Sequence, residues 1–337
     1  MEYVELPAQK DDINRRFDRI VRKFFTKIPL SLLYKNMRNG LIRINHKKTR
    51  NDYQIQEGDI LCIEKKFFEY TQNTEKPQPV HHSDNIDLEI IFSNEHICII
   101  NKPYGMKIHS SADNDVSAEK IIRQKYLRQQ ERLPQKKSLS FMPGPMHRLD
   151  RNTTGLVAFS QSLQGAHYFG ECMTKKNLQK TYIAVLSGHI TKKLHLEHQI
   201  SESKPSNIRD FATVNIYREN TQPDEKVKHA VTTITPLAQG FYRREEITLC
   251  CIDIETGRTH QIRAQSAHCG HPLLADTAYG YKGRATQFLL HAGILLFPKN
   301  NPIGIPEKII APLPENFVNF IQKHLPEFDI LLYNDLQ

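Results

Sequence analysis

An aspartate between two arginines, on the approach to an apolar strand, is the first grouping in this sequence with chemical potential. It lies in Met146-His147-Arg148-Leu149-Asp150-Arg151-Asn152-Thr153-Thr154-Gly155, which leads directly into Leu156-Val157-Ala158-Phe159. Cations on both sides of Asp150 favour its ionised form, the state that general-base and nucleophilic chemistry require. A surface ion pair is the competing reading, because structural pairs also perturb carboxylates. A second polar cluster, Asn177-Leu178-Gln179-Lys180-Thr181-Tyr182, opens another apolar run. Tyr182 is either a packed aromatic or a site residue, and it gains interest by association. The third cluster runs from Glu255 through Gly257-Arg258-Thr259-His260-Gln261-Ile262-Arg263 to His271-Pro272. Thr259 is a natural cap for a helix ending at Gly270, whose N-terminal end favours anions, with Arg258 and Arg263 adding charge. His260, His268, Cys269, His271 and His291 raise a metal alternative, but their spacing matches neither HExxH nor paired CxxC, and no metal is expected. The sequence has no Gly-rich phosphate loop, GxSxG elbow or dinucleotide fingerprint.

The elements that must position these groups come from the remaining pattern. The chain has 337 residues, 39% hydrophobic and 25% charged, enough for about two domains. No apolar run reaches the roughly 18 residues of a membrane span, no secretory signal opens the chain, and a cytoplasmic protein is expected. Six cysteines without regular spacing read as reduced thiols. The net charge of +9 is concentrated: Arg15 to Lys66 holds 14 basic and 5 acidic residues, which is the entire excess. Within it Phe17, Ile20, Val21, Phe24 and Phe25 form one helical stripe, with Arg19, Arg22 and Lys23 opposite. Ser31 is expected to cap a second helix that stops at Asn39-Gly40, followed by short strands at Leu41–Ile44 and within Ile55–Glu64.

These features predict a small basic domain over residues 1–70, a polar, proline-containing linker over 71–86 and a larger domain over 87–330. In the larger part, strand-like runs occur at Leu88–Phe92, Ile97–Ile100, Gly155–Phe159, Tyr182–Leu186, Val231–Ile234, Ile247–Ile254 and Leu289–Phe297. Without a regular βαβ alternation, they predict an α+β fold on a mixed, mostly antiparallel sheet. Arg128–Ser140 and Ser201–Lys228 read as surface excursions.

The pattern H-R-L-D-R-x-T-x-G at Met146–Gly155 closely resembles the signature of the RluA-type pseudouridine synthases. Asn101-Lys102-Pro103-Tyr104-Gly105-Met106, the K-x-Y strand at Lys180–Tyr182, G-R-T-H-Q-I-R, Gly270–Asp276 and Leu289-Leu290-His291-Ala292 follow in that family's order. The N-terminal module is similar to the small ribosomal-protein-like RNA-binding domain of the large-subunit rRNA members. The resemblance spans about Arg15 to Phe328. It implies a pseudouridine synthase fold with a central cleft and no cofactor. The implied roles are Asp150 as the catalytic aspartate, attacking the ribose or removing its C2′ proton, Arg263 as its partner, and Tyr182 as the residue that stacks on uracil and assists late proton transfer. Arg148 would enter the RNA helix in place of the flipped nucleotide. Three departures occur: Thr153-Thr154 for Thr-Ser, Ala264-Gln265 for Val-His, and Ile108-His109-Ser110-Ser111 for His-Gly-Gly.

The expected partner is RNA, ribosomal RNA or pre-ribosomal particles, bound by a monomer. Arg148, Arg151 and Arg258 are expected to hold RNA at the cleft, and Lys35, Arg38, Lys47, Lys48 and Arg50 to contact phosphates from the basic module. A solvated charged face is the alternative for these five. At the level of the whole protein, the alternative is a non-catalytic RNA-binding ribosome-assembly factor.

Overall fold

The apolar period of the basic segment becomes helix α1 (Phe17–Phe24), which buries Phe17, Ile20 and Val21 completely and leaves Arg19, Arg22 and Lys23 exposed. The computed structural model describes residues 1–25, 27–74, 87–110, 115–132, 138–202, 214–217, 227–286 and 288–336. Helix α2 (Leu30–Asn39) starts one residue before the expected Ser31 cap, because Pro29 takes the cap position with its extended backbone. It ends as the sequence implies, with Gly40 at φ 74°, a left-handed cap that costs glycine nothing. Strands β1 (Tyr3–Pro7) and β2 (Ile42–Ile44) flank β3 (Ile60–Glu64) in an antiparallel sheet. Neither β1 nor helix α3 (Lys65–Thr74) was expected, and α3 runs into the stretch read as linker. The rest of that stretch, 75–86, lies outside the described residues.

The chain divides into two compact units. The first is not confined to residues 1–70: it comprises Met1–Asp87, Ser110–Gly144 and Ser160–Ala166. Of the excursion expected at Arg128–Ser140, the first part belongs to helix α4 (Ala118–Arg132), 133–137 lie outside the described residues, and Ser138, Leu139 and Ser140 are buried, against expectation. The cause is Asp12, fully buried, whose carboxylate accepts five hydrogen bonds. They come from the backbone N–H groups of Gln9, Leu139 and Ser140 and the hydroxyls of Ser138 and Ser140, at 2.7–3.1 Å. A buried carboxylate is tolerable only when its lone pairs are met in this way. Leu139 accordingly joins the core of Phe17, Ile20, Leu33 and Ile63.

The second unit, Leu88–His109, Pro145–Phe159 and His167–Gln337, is built on one mixed sheet. Its strands are β4 (Glu89–Ser93), β5 (Ile97–Lys102), β6 (Thr154–Ser160), β7 (Gln179–Ser187), β8 (Leu194–Glu202), β9 (Val214–Tyr217), β10 (Lys228–Tyr242), β11 (Glu245–Ile254), β12 (Leu290–Leu296) and β13 (Lys308–Ile310). The spatial order is β4-β5-β6-β12-β7-β11-β10-β8-β9, with β13 beside β12. The seven expected strands are present; β8, β9 and β13 are additional, and β9 falls inside the excursion expected at Ser201–Lys228. The rest of that excursion, 203–213 and 218–226, lies outside the described residues. Strands β6 and β12 run parallel, whereas β4–β5, β7–β11, β7–β12, β8–β9, β8–β10, β10–β11 and β12–β13 are antiparallel. Helices α5 (Leu163–Thr174), α6 (Gln261–His268) and α7 (Glu315–His324) complete the α+β fold.

The central run β6-β12-β7-β11 matters most, because the segments bearing the candidate chemistry enter or leave it. Where β6 pairs with β12, Gly155 has φ 109° and faces Ala292. A Cβ there would lie 2.2 Å from the Ala292 carbonyl oxygen, so only glycine permits this pairing directly after the Asp150 loop. Among the described residues no helix is long and apolar enough to cross a membrane.

Candidate active site

Asp150 sits on the loop that feeds β6, and the loop is fastened from beneath by a buried lysine. Lys102, at the end of β5, donates through Nζ to the carbonyls of Pro103, Met106 and Arg151, each at 3.0 Å. Arg151 returns a bond from Nε to the Gly105 carbonyl at 3.0 Å. Lys102 is fully buried, and desolvation brings its ammonium down to about 8 although the Asp150 charge opposes this. His147 supports the other side of the loop. Its Nε2 accepts the Ala158 backbone N–H at 3.0 Å and its ring stacks on Phe169 at 5.6 Å. Desolvation pushes its pKa down to about 3, so it is a neutral packing residue.

The Asp150 carboxylate accepts no hydrogen bond from the described residues, and two cationic or protonatable side chains flank it. Arg263 Nη1 lies 3.6 Å from Oδ2 and His260 Nε2 lies 3.7 Å from it. Arg263 comes from the first turn of α6, and most of its guanidinium is engaged elsewhere. Nε and Nη2 bind the two oxygens of Asp276 at 2.7 and 2.8 Å, a bidentate fork. The Tyr279 and Phe288 rings flank the guanidinium at 4.7 and 5.2 Å. This clamp leaves Nη1 as the end that faces Asp150. The close partner of Arg263 is thus Asp276, 2% exposed, with Asp150 the looser one.

Two cavities meet at this point. One, about 60 Å³, has Tyr182 and Leu290 among its walls together with Arg148, Asp150, Gly257, Arg258, His260 and Arg263. The other, about 410 Å³, shares Asp150, His260 and Arg263 and adds Tyr104, Arg151, Asn152, Tyr279 and Phe288. Tyr182 is buried in β7, opposite Ile252 of β11 and Ala292 of β12. Desolvation, and then the Asp150 charge, push its phenol well above the usual range, so it remains protonated. The arrangement offers an anionic carboxylate, a fixed guanidinium and a flat protonated phenol around one small space.

The RNA pseudouridylate synthase family matches residues 96–268 of the chain, slightly more than half of it. The chain belongs to this family. It is 31% identical to "Ribosomal large subunit pseudouridine synthase C" of Buchnera aphidicola subsp. Acyrthosiphon pisum, over 93% of this chain and 94% of that one. The protein of the same name from Escherichia coli K12 is 25% identical over the same shares. Human RNA pseudouridylate synthase domain containing 4 shares the fold, with a TM-score of 0.52 and 20% identity over 70% of this chain and 92% of that chain.

Within this synthase, the residues expected at the site come together: Asp150, Tyr182, Arg263, Arg148 and Arg258 line one cavity, and Arg151 lines the adjoining one. Arg258 is exposed, and its Nε donates to the His229 carbonyl at 3.0 Å. Lys35, Arg38, Lys47, Lys48 and Arg50 are all exposed in the other unit, with Arg50 paired to Asp52 at 3.0 Å. Thr259 is not the helix cap. His260 holds that place with a left-handed backbone, φ 50°, and Gln261 Oε1 accepts from the Arg258 N–H at 3.0 Å. The Gln265 departure is structural. Its amide is buried against the carbonyls of Leu196 and Ala230, and its Oε1 accepts the Thr232 hydroxyl at 2.7 Å.

The histidines weighed as metal ligands have other partners. His271 Nδ1 meets the Ser187 carbonyl at 2.9 Å, and His291 Nδ1 meets the Thr154 hydroxyl at 2.8 Å. Sequence reasoning missed three positions. Asp276 and Lys102 stand out in the sequence only as members of longer motifs, and His260 only as a motif member and a metal candidate. A lysine two residues past the apolar run Ile97–Ile100 is the one available signal.

Proposed function

We propose that this synthase isomerises uridine to pseudouridine in large-subunit ribosomal RNA, with Asp150, Tyr182 and Arg263 as its catalytic residues. The observation that carries the reading is the Asp150 carboxylate, which accepts no hydrogen bond from the described residues, facing a cavity whose wall is Tyr182. The target carbon is inaccessible in stacked RNA, so the uridine flips out of the helix. The two cavities share Asp150, His260 and Arg263, and the base and ribose lie across them on either side of Asp150. Asp150 then acts at the ribose to release uracil, either by attack or by taking the C2′ proton. Arg263 Nη1 orients the carboxylate, and the Tyr182 ring stacks on the freed base while it turns to present carbon in place of nitrogen. Tyr182, protonated at rest, serves the late proton transfer as a relay: its hydroxyl passes a proton to the base nitrogen freed by cleavage while its oxygen takes the one leaving the newly bonded carbon.

The large-subunit target is supported by the names of the relatives, which match nearly end to end. Arg148, Arg151 and Arg258 hold RNA at the cavity mouth. The basic N-terminal segment of the first unit supplies the phosphate grip through Lys35, Arg38, Lys47, Lys48 and Arg50. The enzyme works as a cytoplasmic monomer on rRNA or pre-ribosomal particles.

Site-resolved pseudouridine mapping of rRNA from cells with and without the gene tests the target; no lost site in the large-subunit RNA refutes it. Replacing the five N-terminal cations together should weaken RNA binding and flatten its dependence on salt, since each lost phosphate contact lowers the slope. An unchanged slope refutes the phosphate role.

A further inference from the structure

Hydrogen-bond direction around His260 determines which of its nitrogens carries the proton. The Val214 backbone N–H points at Tyr279 Oη, 2.9 Å away, and an amide can only donate. Accepting that bond leaves the Tyr279 hydroxyl proton free for the atom 2.9 Å on the other side, His260 Nδ1. With Nδ1 as that acceptor, the neutral ring carries its proton on Nε2. That N–H faces Asp150 Oδ2 at 3.7 Å, so an approach of under one ångström on substrate binding closes a hydrogen bond. The ring is held in an unusual way, because His260 occupies the left-handed region at φ 50°, a conformation L-residues avoid unless the surroundings impose it. Asp150, Arg263, Asp276, Arg148 and Tyr279 all face the imidazole, and desolvation, the largest influence, holds its pKa below the ordinary value.

We infer that His260 is a positioning residue for the isomerisation, held as the Nε2–H tautomer by the Val214–Tyr279 relay so that it donates to the catalytic carboxylate. The role is distinct from that of Arg263. Arg263 supplies charge and is pinned by Asp276, whereas His260 supplies one directional donor whose proton is assigned by a tyrosine. The relay aims the Asp150 oxygens, leaving the carboxylate anionic and its outward face toward the ribose. The inference rests on the reading of Asp150 as the catalytic group.

The experiment combines steady-state kinetics on an rRNA fragment with ¹⁵N NMR of histidine-labelled enzyme. His260→Ala should lower kcat about 10- to 100-fold with KM within about threefold, the usual scale for losing an orienting partner. His260→Gln, which keeps an N–H donor near the Nε2 position, should recover most of that loss. Tyr279→Phe should lower kcat less, about tenfold, and allow the Nδ1–H tautomer to appear. In the wild type the His260 resonance should report a neutral ring protonated at Nε2. The inference is overturned by a wild-type Nδ1–H tautomer, by His260→Ala changing KM alone, or by His260→Gln being as slow as His260→Ala. If His260→Ala fails to fold, the wild-type tautomer and the Tyr279→Phe rate decide. Asp150→Asn serves as the control: turnover in that variant refutes the reading beneath the inference, while an inactive Asp150→Asn beside a fully active His260→Ala refutes the inference alone.

Discussion

Two aspartates, one in each compact unit, are held in opposite ways. Asp12 is fully buried and accepts five hydrogen bonds, so its negative charge is neutralised by donors and nothing remains for a ligand. Asp150 is partly exposed and accepts none from the described residues, with its flanking groups at 3.6 and 3.7 Å. The first arrangement fastens chain segments 125 residues and more apart in sequence. The second leaves a carboxylate available. A carboxylate whose lone pairs are filled by the fold does structural work, whereas one left open beside cations is placed for chemistry.

The largest effect should come from removing the open carboxylate. Asp150→Asn is nearly isosteric and should cut product formation by about a thousandfold or more, while leaving RNA affinity and melting temperature close to wild type. Turnover near the wild-type rate would erase the contrast. Asp12→Ala should do the reverse. With five donors losing their acceptor, unfolding free energy should drop by about 3 kcal/mol or more in urea titration, while turnover per folded molecule persists. Asp276→Asn tests an intermediate case. It loosens the fork that aims Arg263, and kcat should fall about 10- to 100-fold with a smaller change in KM.

The smallest effect expected is one of pH on stability. His291 is buried and desolvation lowers its pKa to about 4, against an ordinary 6.5. The unfolded chain therefore takes up the proton first. The stabilisation is complete above about pH 6.5 and is lost as pH falls toward 4, the loss reaching about 2 kcal/mol at pH 5. Melting curves between pH 7.5 and 5 should fall more steeply for the wild type than for His291→Asn; parallel curves would show that the imidazole contributes nothing. His147, lowered to about 3, adds to the same slope.

Local pattern carried a good part of this protein into view. The stripe from Phe17 to Phe25, the Gly40 stop and the seven anticipated strands depend on periodicity and backbone preference, which act over a few residues. Asp150, Tyr182 and Arg263 came into view by another route, a resemblance to a known family carried by short contiguous motifs. The errors came where distant segments compete. Thr259 is a good cap by residue type, yet His260 takes the position because its ring is drawn to Tyr279 and Asp150. Ser138–Ser140 looks like a solvated loop until Asp12 gathers its hydroxyls and amides. Strands β8 and β9 lie in a stretch too polar to stand out by alternation.

By itself the sequence determined the chemical inventory: a basic N-terminal segment, an aspartate between arginines, a tyrosine opening a strand and an arginine in a short helix. Each is a local fact of residue type and spacing. Only the tertiary structure decided who partners whom. Arg263 could satisfy either Asp150 or Asp276, and the turn after α6 brings Asp276 within 2.7 Å while the β6 loop stops Asp150 at 3.6 Å. His260 could carry its proton on either nitrogen, and the tautomer we infer hangs on a backbone amide from β9 that reaches it through Tyr279. Hydrogen-bond direction and ion-pair distance vary over fractions of an ångström, and such distances are fixed by the packing of elements that the sequence places far apart.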